Sequence, residues 1–266
     1  MLHNLAQLPR YRGLIQSLVA RELKARYRGS VLGFFWSFVN PLLLLLVYSF
    51  VFTYVMPSSQ DERIRPYALF MFCGILPWTW FASSLTESAS VLISGGNLIK
   101  KVLFPAEVLP IVTVLANMIH FFFGLVILAG FLIWYRRPLH LNELALFPVV
   151  VLVQLVLTTA FALLLSALTV HFRDIRDILS NLLTFWFFGT PIIYPYFLFP
   201  ENAWQGRLLK LNPFTHLAIT YQEILFFEGP VGHFKYLLLL GGISVVFFLI
   251  CYFVFDRLRD TFAEEV

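Results

Sequence analysis

Six apolar stretches limit this chain to one kind of fold, because each is near or above the ~20 residues that a helix needs to cross a bilayer's hydrocarbon core. They cover 31–56, 67–90, 108–135, 144–170, 178–200 and 236–256. The first holds no charged residue, the second none before Glu87, and the third only His120. The fifth is rich in aromatic residues and is interrupted by Pro191 and Pro195. Backbone polar groups inside lipid must find partners within the protein, so uncharged runs of this length are helices. A membrane β-barrel would instead show alternating segments of ~10 residues, and the chain has none. The pattern predicts an all-α integral membrane protein with six transmembrane helices in a single domain. Composition agrees: 59% of residues are hydrophobic and 13% charged, against about 45–50% and about 25% for soluble domains.

Charge orients the bundle. With the N-terminus inside, twelve of the nineteen Lys and Arg residues fall in inner segments. Cytoplasmic loops carry the excess of such residues, so both termini are expected in the cytoplasm. Residues 10–30 read as an amphipathic helix in the inner interface. Arg21, Lys24 and Arg28 gather on one side at 100° per residue, and Leu14, Ile15, Leu18, Val19 and Leu23 fill the opposite arc. Such a helix lies among headgroups with its cations toward anionic lipid. The N-terminal residues lack the short apolar core of a cleavable signal. Residues 201–235 are too polar to span and too apolar for a free loop, so short interfacial or re-entrant helices are expected there.

Several motifs point away from chemistry on this chain. Ser94-Gly95-Gly96-Asn97 lacks the Gly-Lys-Ser/Thr that lets a loop cradle phosphates. ATP-driven work would need an ATPase on another polypeptide. His171, Asp174 and Asp177 are neighbours at helical spacing, but Arg173 and Arg176 interleave them, which suits a charged inner loop better than a metal or acid–base site. Cys73 and Cys251 sit alone in apolar runs and read as buried free thiols. Glu87 and His120 are ionisable groups near membrane depth, and such groups are functional candidates or hydrogen-bonded packing groups. Aromatics make up 18% of the chain, and their rings can pack on the C–H faces of sugars or simply on lipid.

Three stretches in order carry a resemblance. Arg21 to Gly33, containing Lys24, Arg26 and Arg28, runs into Phe35, Trp36, Asn40 and Pro41. Asn97, Lys100, Lys101, Phe104 and Pro105 lie between the second and third spans. Phe172-Arg173-Asp174 precedes Phe188, Pro191 and Tyr194. Together they resemble the transmembrane subunit of polysaccharide ABC exporters of the ABC-2 type, which serve O-antigen, capsule and teichoic acid. The resemblance covers most of the chain; Thr190 before Pro191 is a small departure from it.

The resemblance implies a homodimer of this chain with two separate ABC ATPase subunits that hold the ATP and Mg; this chain itself would carry no cofactor and bind no nucleic acid. It implies that 94–107 is a coupling loop docking on the ATPase through Asn97, Lys100, Lys101, Phe104 and Pro105. Arg21, Lys24, Arg26 and Arg28 would attract the diphosphate of a polyisoprenoid-linked glycan, and 201–235 would gate the outer end. Channel-lining candidates are Phe35, Trp36, Tyr48, Phe52, Trp186, Phe187 and Tyr194. The expected location is the cytoplasmic (inner) membrane, and O-antigen is the first-choice cargo. Export of teichoic acid, capsule or another lipid or drug stays open, as does a membrane-embedded transferase.

Overall fold

The computed structural model describes residues 8–26, 28–55, 61–100, 104–137, 141–200 and 203–265. Among them every regular element is helical. A turn at Leu8–Tyr11 leads into α1 (Arg12–Arg26), and α2 (Trp36–Phe50) continues as a wide π turn through Val55. Then follow α3 (Tyr67–Ser94), the single turn α4 (Gly96–Ile99), α5 (Val108–Trp134), the single turn α6 (Leu141–Leu144) and α7 (Phe147–His171). After these come α8 (Ile175–Phe188), α9 (Trp204–Leu211), α10 (Pro213–Leu225), α11 (Phe234–Leu258) and the terminal turn α12 (Phe262–Glu265). Among the described residues, five helical stretches are long and apolar enough to cross a membrane: Trp36–Val55, Tyr67–Ser94, Val108–Trp134, Phe147–His171 and Phe234–Thr261. The chain is a multi-pass membrane protein.

The first span begins later than its apolar run. Gly29 and Gly33 have positive φ, 82° and 49°, a conformation that glycine alone adopts cheaply. They break the path between α1 and α2, so Val31–Gly33 stay outside α2; Met56 lies outside the described residues. The fifth run departs most from expectation. Its helix is α8, 14 residues, or ~21 Å at 1.5 Å per residue, short of the ~30 Å hydrocarbon core. Gly189 ends it, and Pro191 and Pro195 keep the chain non-helical to the 3₁₀ turn Tyr196–Leu198, because proline lacks the amide donor and its ring clashes with the preceding turn.

α3 is the hub. Its apolar core is 83% buried, against 6% for that of Trp36–Val55. It packs on α5, α7 and α10, while α11 lies along α7 and α1 along the start of α5. α3 and α5 run antiparallel, with the Trp80 and Phe121 rings stacked 5.2 Å apart. The middle of the bundle is aromatic: Trp78, Phe81, Phe161, Trp186 and Phe214 meet with centroids 4.9–6.3 Å apart, mostly edge to face. Buried glutamines serve carbonyls at two prolines, Gln154 Nε2 donating to Pro77 O (2.8 Å) and Gln222 Nε2 to Pro191 O (3.0 Å).

α7 and α11 run parallel: Gly241 lies beside Val153, Phe247 beside Phe161, and Phe255 in one cluster with Ala167 and Val170. The chain between them therefore returns from the α1 end of the bundle to the opposite end. It does so through α8, α9 and α10. α10 is nearly enclosed by protein, from Leu217 to Leu225 without an exposed residue. Non-spanning backbone at depth survives where protein covers it.

Candidate functional site

Three arrangements hold the residues singled out by the sequence. The first joins α1 to the spans. Leu18 and Val19 bury themselves against Val108 and Val112 of α5, with Leu14, Ile15, Leu23 and Phe104 around them. The apolar arc of α1 thus faces protein, where the sequence pattern alone suggested lipid. At its end, Arg26 donates Nη1 to Asn117 Oδ1 (3.0 Å) and forms a short ion pair with Glu87. Asn117 Nδ2 also donates to Glu87 Oε2 (2.8 Å) and to Thr113 O (3.1 Å). Arg26 and Glu87, read separately from the sequence, are one clamp between α1, α3 and α5. Arg21, Lys24 and Arg28 are exposed. Arg26 therefore differs from the other three entrance candidates, since a carboxylate already holds its guanidinium. Beside the clamp lies a cavity of about 370 Å³ lined by Arg26, Trp36, Asn40, Ser83, Asn117 and His120 among others. Trp36 reaches it while donating Nε1 to Ser30 Oγ (2.9 Å).

The second arrangement is the connection between α3 and α5. Gly95 caps α3, and a Cβ there would meet Leu109 Cδ1 at 2.7 Å and the Val91 carbonyl at 2.9 Å. Only glycine fits this corner. Asn97 sits in α4, Lys100 is exposed, and Phe104 and Pro105 are half-buried; Lys101 lies outside the described residues. Phe104 packs inward, on Leu92, Ala106 and Leu109 on one side and on α1 on the other. Residues outside the coupling candidates brace this corner from behind. Phe262 of the terminal turn is fully buried and lies 5.2 Å from Phe255 in the same cluster. Arg259 Nη1 stands 3.9 Å from Oε2 of the buried Glu107. His171 meets Thr261 Oγ1 through Nε2 (3.0 Å) and Ala167 O through Nδ1 (3.2 Å). Both ring nitrogens of His171 are thus engaged, while Asp174 and Asp177 are exposed. No group of three or more His, Cys, Asp or Glu suited to a metal occurs among the described residues.

The third arrangement concerns the aromatic candidates. Phe35 is exposed at 68%. The other six are half-buried. Phe52 packs edge-on to Tyr67 at 4.4 Å, and Phe187 lies 5.7 Å from Trp78. Trp186 turns into the bundle, and its Nε1 donates to Asn212 Oδ1 (2.7 Å). The exposed face of α8 is instead Ile178, Leu182, Phe185 and Phe188, one stripe at helical spacing. Asn212 satisfies its whole side chain here. Its Oδ1 also accepts from Phe214 N (3.0 Å), and its Nδ2 donates to Gly189 O (3.0 Å) and Thr190 Oγ1 (2.9 Å). Asn before Pro213 is a helix-start signal in the sequence, but its tie to Trp186 is tertiary.

Residues 13–226 match the ABC-2 type transporter family. The chain is 42% identical, over the whole of both chains, to an O-antigen export system permease protein of Myxococcus xanthus. It is 32% identical to one of Klebsiella pneumoniae over 94% of each chain. It is 23% identical to a polysialic acid transport protein of Escherichia coli, over 79% of this chain and 80% of that one.

Proposed function

Because this chain belongs to the ABC-2 type transporter family, we propose that it is the membrane-spanning, channel-forming subunit of an ATP-driven exporter of a polyisoprenoid-linked polysaccharide, O-antigen first. It acts as a homodimer with two separate ABC ATPase subunits in the cytoplasmic membrane, both termini inside. The observation that carries this reading is the full-length similarity to a protein named as an O-antigen export permease. The α1 end of the bundle is then the cytoplasmic face, and the α8–α10 segment is the sixth crossing, assembled from pieces.

In this reading the corner at Gly95–Pro105 receives the ATPase stroke. The exposed Lys100 offers charge to an acidic groove, and Phe104 carries motion inward to α1 and α5, on which it packs. The Arg26 clamp ties that motion to α3. Arg21, Lys24 and Arg28 form the cationic entrance for the lipid diphosphate, by charge-assisted hydrogen bonding. The exposed stripe of α8 and the little-buried α2 form the seam between the two copies and the wall of the channel. Phe35 and the flanking aromatics offer flat surfaces over which a glycan slides without a deep well.

Co-expression with the neighbouring ATPase, extraction in mild detergent and measurement of subunit ratio and ATPase rate test the proposal. Equal amounts of the two subunits, with hydrolysis that responds to lipid-linked glycan, are expected. A chain that elutes alone would remove the export reading. Similarity to the polysialic acid transport protein favours capsule export as the second reading, and an acidic glycan would then be the stimulating cargo.

A further inference from the structure

At the end of the bundle opposite α1, two cavities of about 470 and 350 Å³ share one wall. That wall is Arg63 and Phe197, with the guanidinium carbon 4.0 Å from the ring centroid. Glu62, Arg137, Tyr196, Glu223 and Glu228 line the larger cavity. Phe52, Asp61, Tyr67 and Tyr194 line the smaller one. Phe52 and Tyr194 belong to the aromatic set assigned to the channel, so the smaller cavity continues that surface.

We propose that these two cavities form an exit groove that holds two successive neutral sugar units of the exported chain. This rests on the export reading above. A sugar ring presents hydroxyls at its edge and C–H groups on its faces. It is held by ionic donors and acceptors, which make the stronger hydrogen bonds, together with aromatic surfaces that carry a polar handle. The groove has both. Charge decides between sugar classes. The described lining carries Asp61, Glu62, Glu223 and Glu228 against Arg63 and Arg137, a balance of two negative charges. An anionic unit or a diphosphate is repelled there, and a neutral hydroxylated unit is not. A metal ion is the poorer occupant. Glu223 is taken up by His233, accepting from its backbone N–H (3.1 Å) and pairing with Nδ1 (2.9 Å), and the described carboxylates form no metal-ligand group.

The groove is also set in advance. The Arg63 guanidinium stands over the Phe197 ring, while Asp61 accepts from its Nε at 3.0 Å and its Nη2 at 2.6 Å. A guanidinium has five N–H donors, so three remain for a ligand. Arg137 is fixed over the Phe226 ring at 4.7 Å and by its bond to the Arg65 carbonyl. Side chains already held by such contacts lose less entropy on binding than free ones.

The test is photo-crosslinking during export by the complete transporter in cells. p-Benzoyl-phenylalanine is placed at Phe197, at Phe185 on the exposed face of α8, or at Leu239 on the exposed face of α11. Glycan adducts are expected at 197 and 185 and not at 239. Adducts at 185 without any at 197 overturn the groove and leave the export reading standing. Adducts at none of the three also overturn the groove, and if the chain fails to bind an ATPase as well, the export reading falls with it. If the Phe197 variant does not accumulate, the probe moves to Tyr196, with the same outcomes. Separately, Arg63→Ala removes the remaining donors and is expected to slow export of a neutral glycan about fivefold, the loss of one net hydrogen bond. An unchanged rate counts against the groove.

Discussion

The clamp between Arg26 and Glu87 makes a measurable claim about how α1 stays docked. Fully exposed ion pairs contribute about 0–1 kcal/mol, and breaking a fully buried pair costs about 3–5 kcal/mol. Here the Arg26 side chain is 23% exposed and that of Glu87 39%. The pair falls between those limits, so a coupling of about 1–2 kcal/mol is expected, or roughly 5–30-fold in an equilibrium. Glu87→Gln isolates the charge, because the amide oxygen still accepts from Asn117 Nδ2. Arg26→Ala removes the other partner. The reporter is Val19→Cys, since Val19 is buried against α5 and its thiol reacts with maleimide only when α1 lifts. The native Cys73 and Cys251 are buried, which keeps background labelling low. Each single variant should speed labelling about 5–30-fold, and the double variant should be no faster than the faster single. Labelling of Arg26→Ala within twofold of the parent would refute the reasoning. So would single effects that multiply in the double variant, because independent sites add in free energy.

Three further outcomes follow from the same structure. Replacing Lys100, Lys101 and Phe104 together should leave the chain folded and ATPase-bound while uncoupling hydrolysis from export; normal export by this variant, followed as surface glycan against ATP consumed, would refute the coupling assignment. Gly95→Ala forces a Cβ to 2.9 Å from the Val91 carbonyl and should destabilise the α3–α4 corner by about 1–3 kcal/mol, as overpacking does, seen as a lowered melting temperature in detergent. Phe262→Ala should cost about 3–5 kcal/mol locally, the usual loss for a buried Phe, and expose the terminal turn to protease without changing span topology.

Much was legible in the sequence for a simple reason. Hydrocarbon imposes one demand on the backbone, and a run of ~20 apolar residues meets it only as a helix. The cores of the spans at 67–90, 108–135, 144–170 and 236–256 therefore could be placed by counting residues. The resemblance, too, rested on linear strings such as Phe172-Arg173-Asp174, and the family it pointed to is the one the chain matches.

The fifth run was harder to read, because 178–200 has the composition of a span while Gly189, Pro191 and Pro195 decide how far its helix extends. Likewise, Arg26 and Glu87 are 61 positions apart, and neither residue's neighbours announce the pair. Asn212 and Trp186 stand 26 apart, and the indole turns inward because Asn212 meets it there. Composition that is apolar on every side blurs helical faces, so the sequence by itself determined that the chain is helical and which stretches are long and apolar enough to cross a membrane, but not how their faces meet. Which face of α1 meets protein, which ring of α8 faces outward and which charges are already paired were decided by packing alone, because those choices depend on partners distant in the chain.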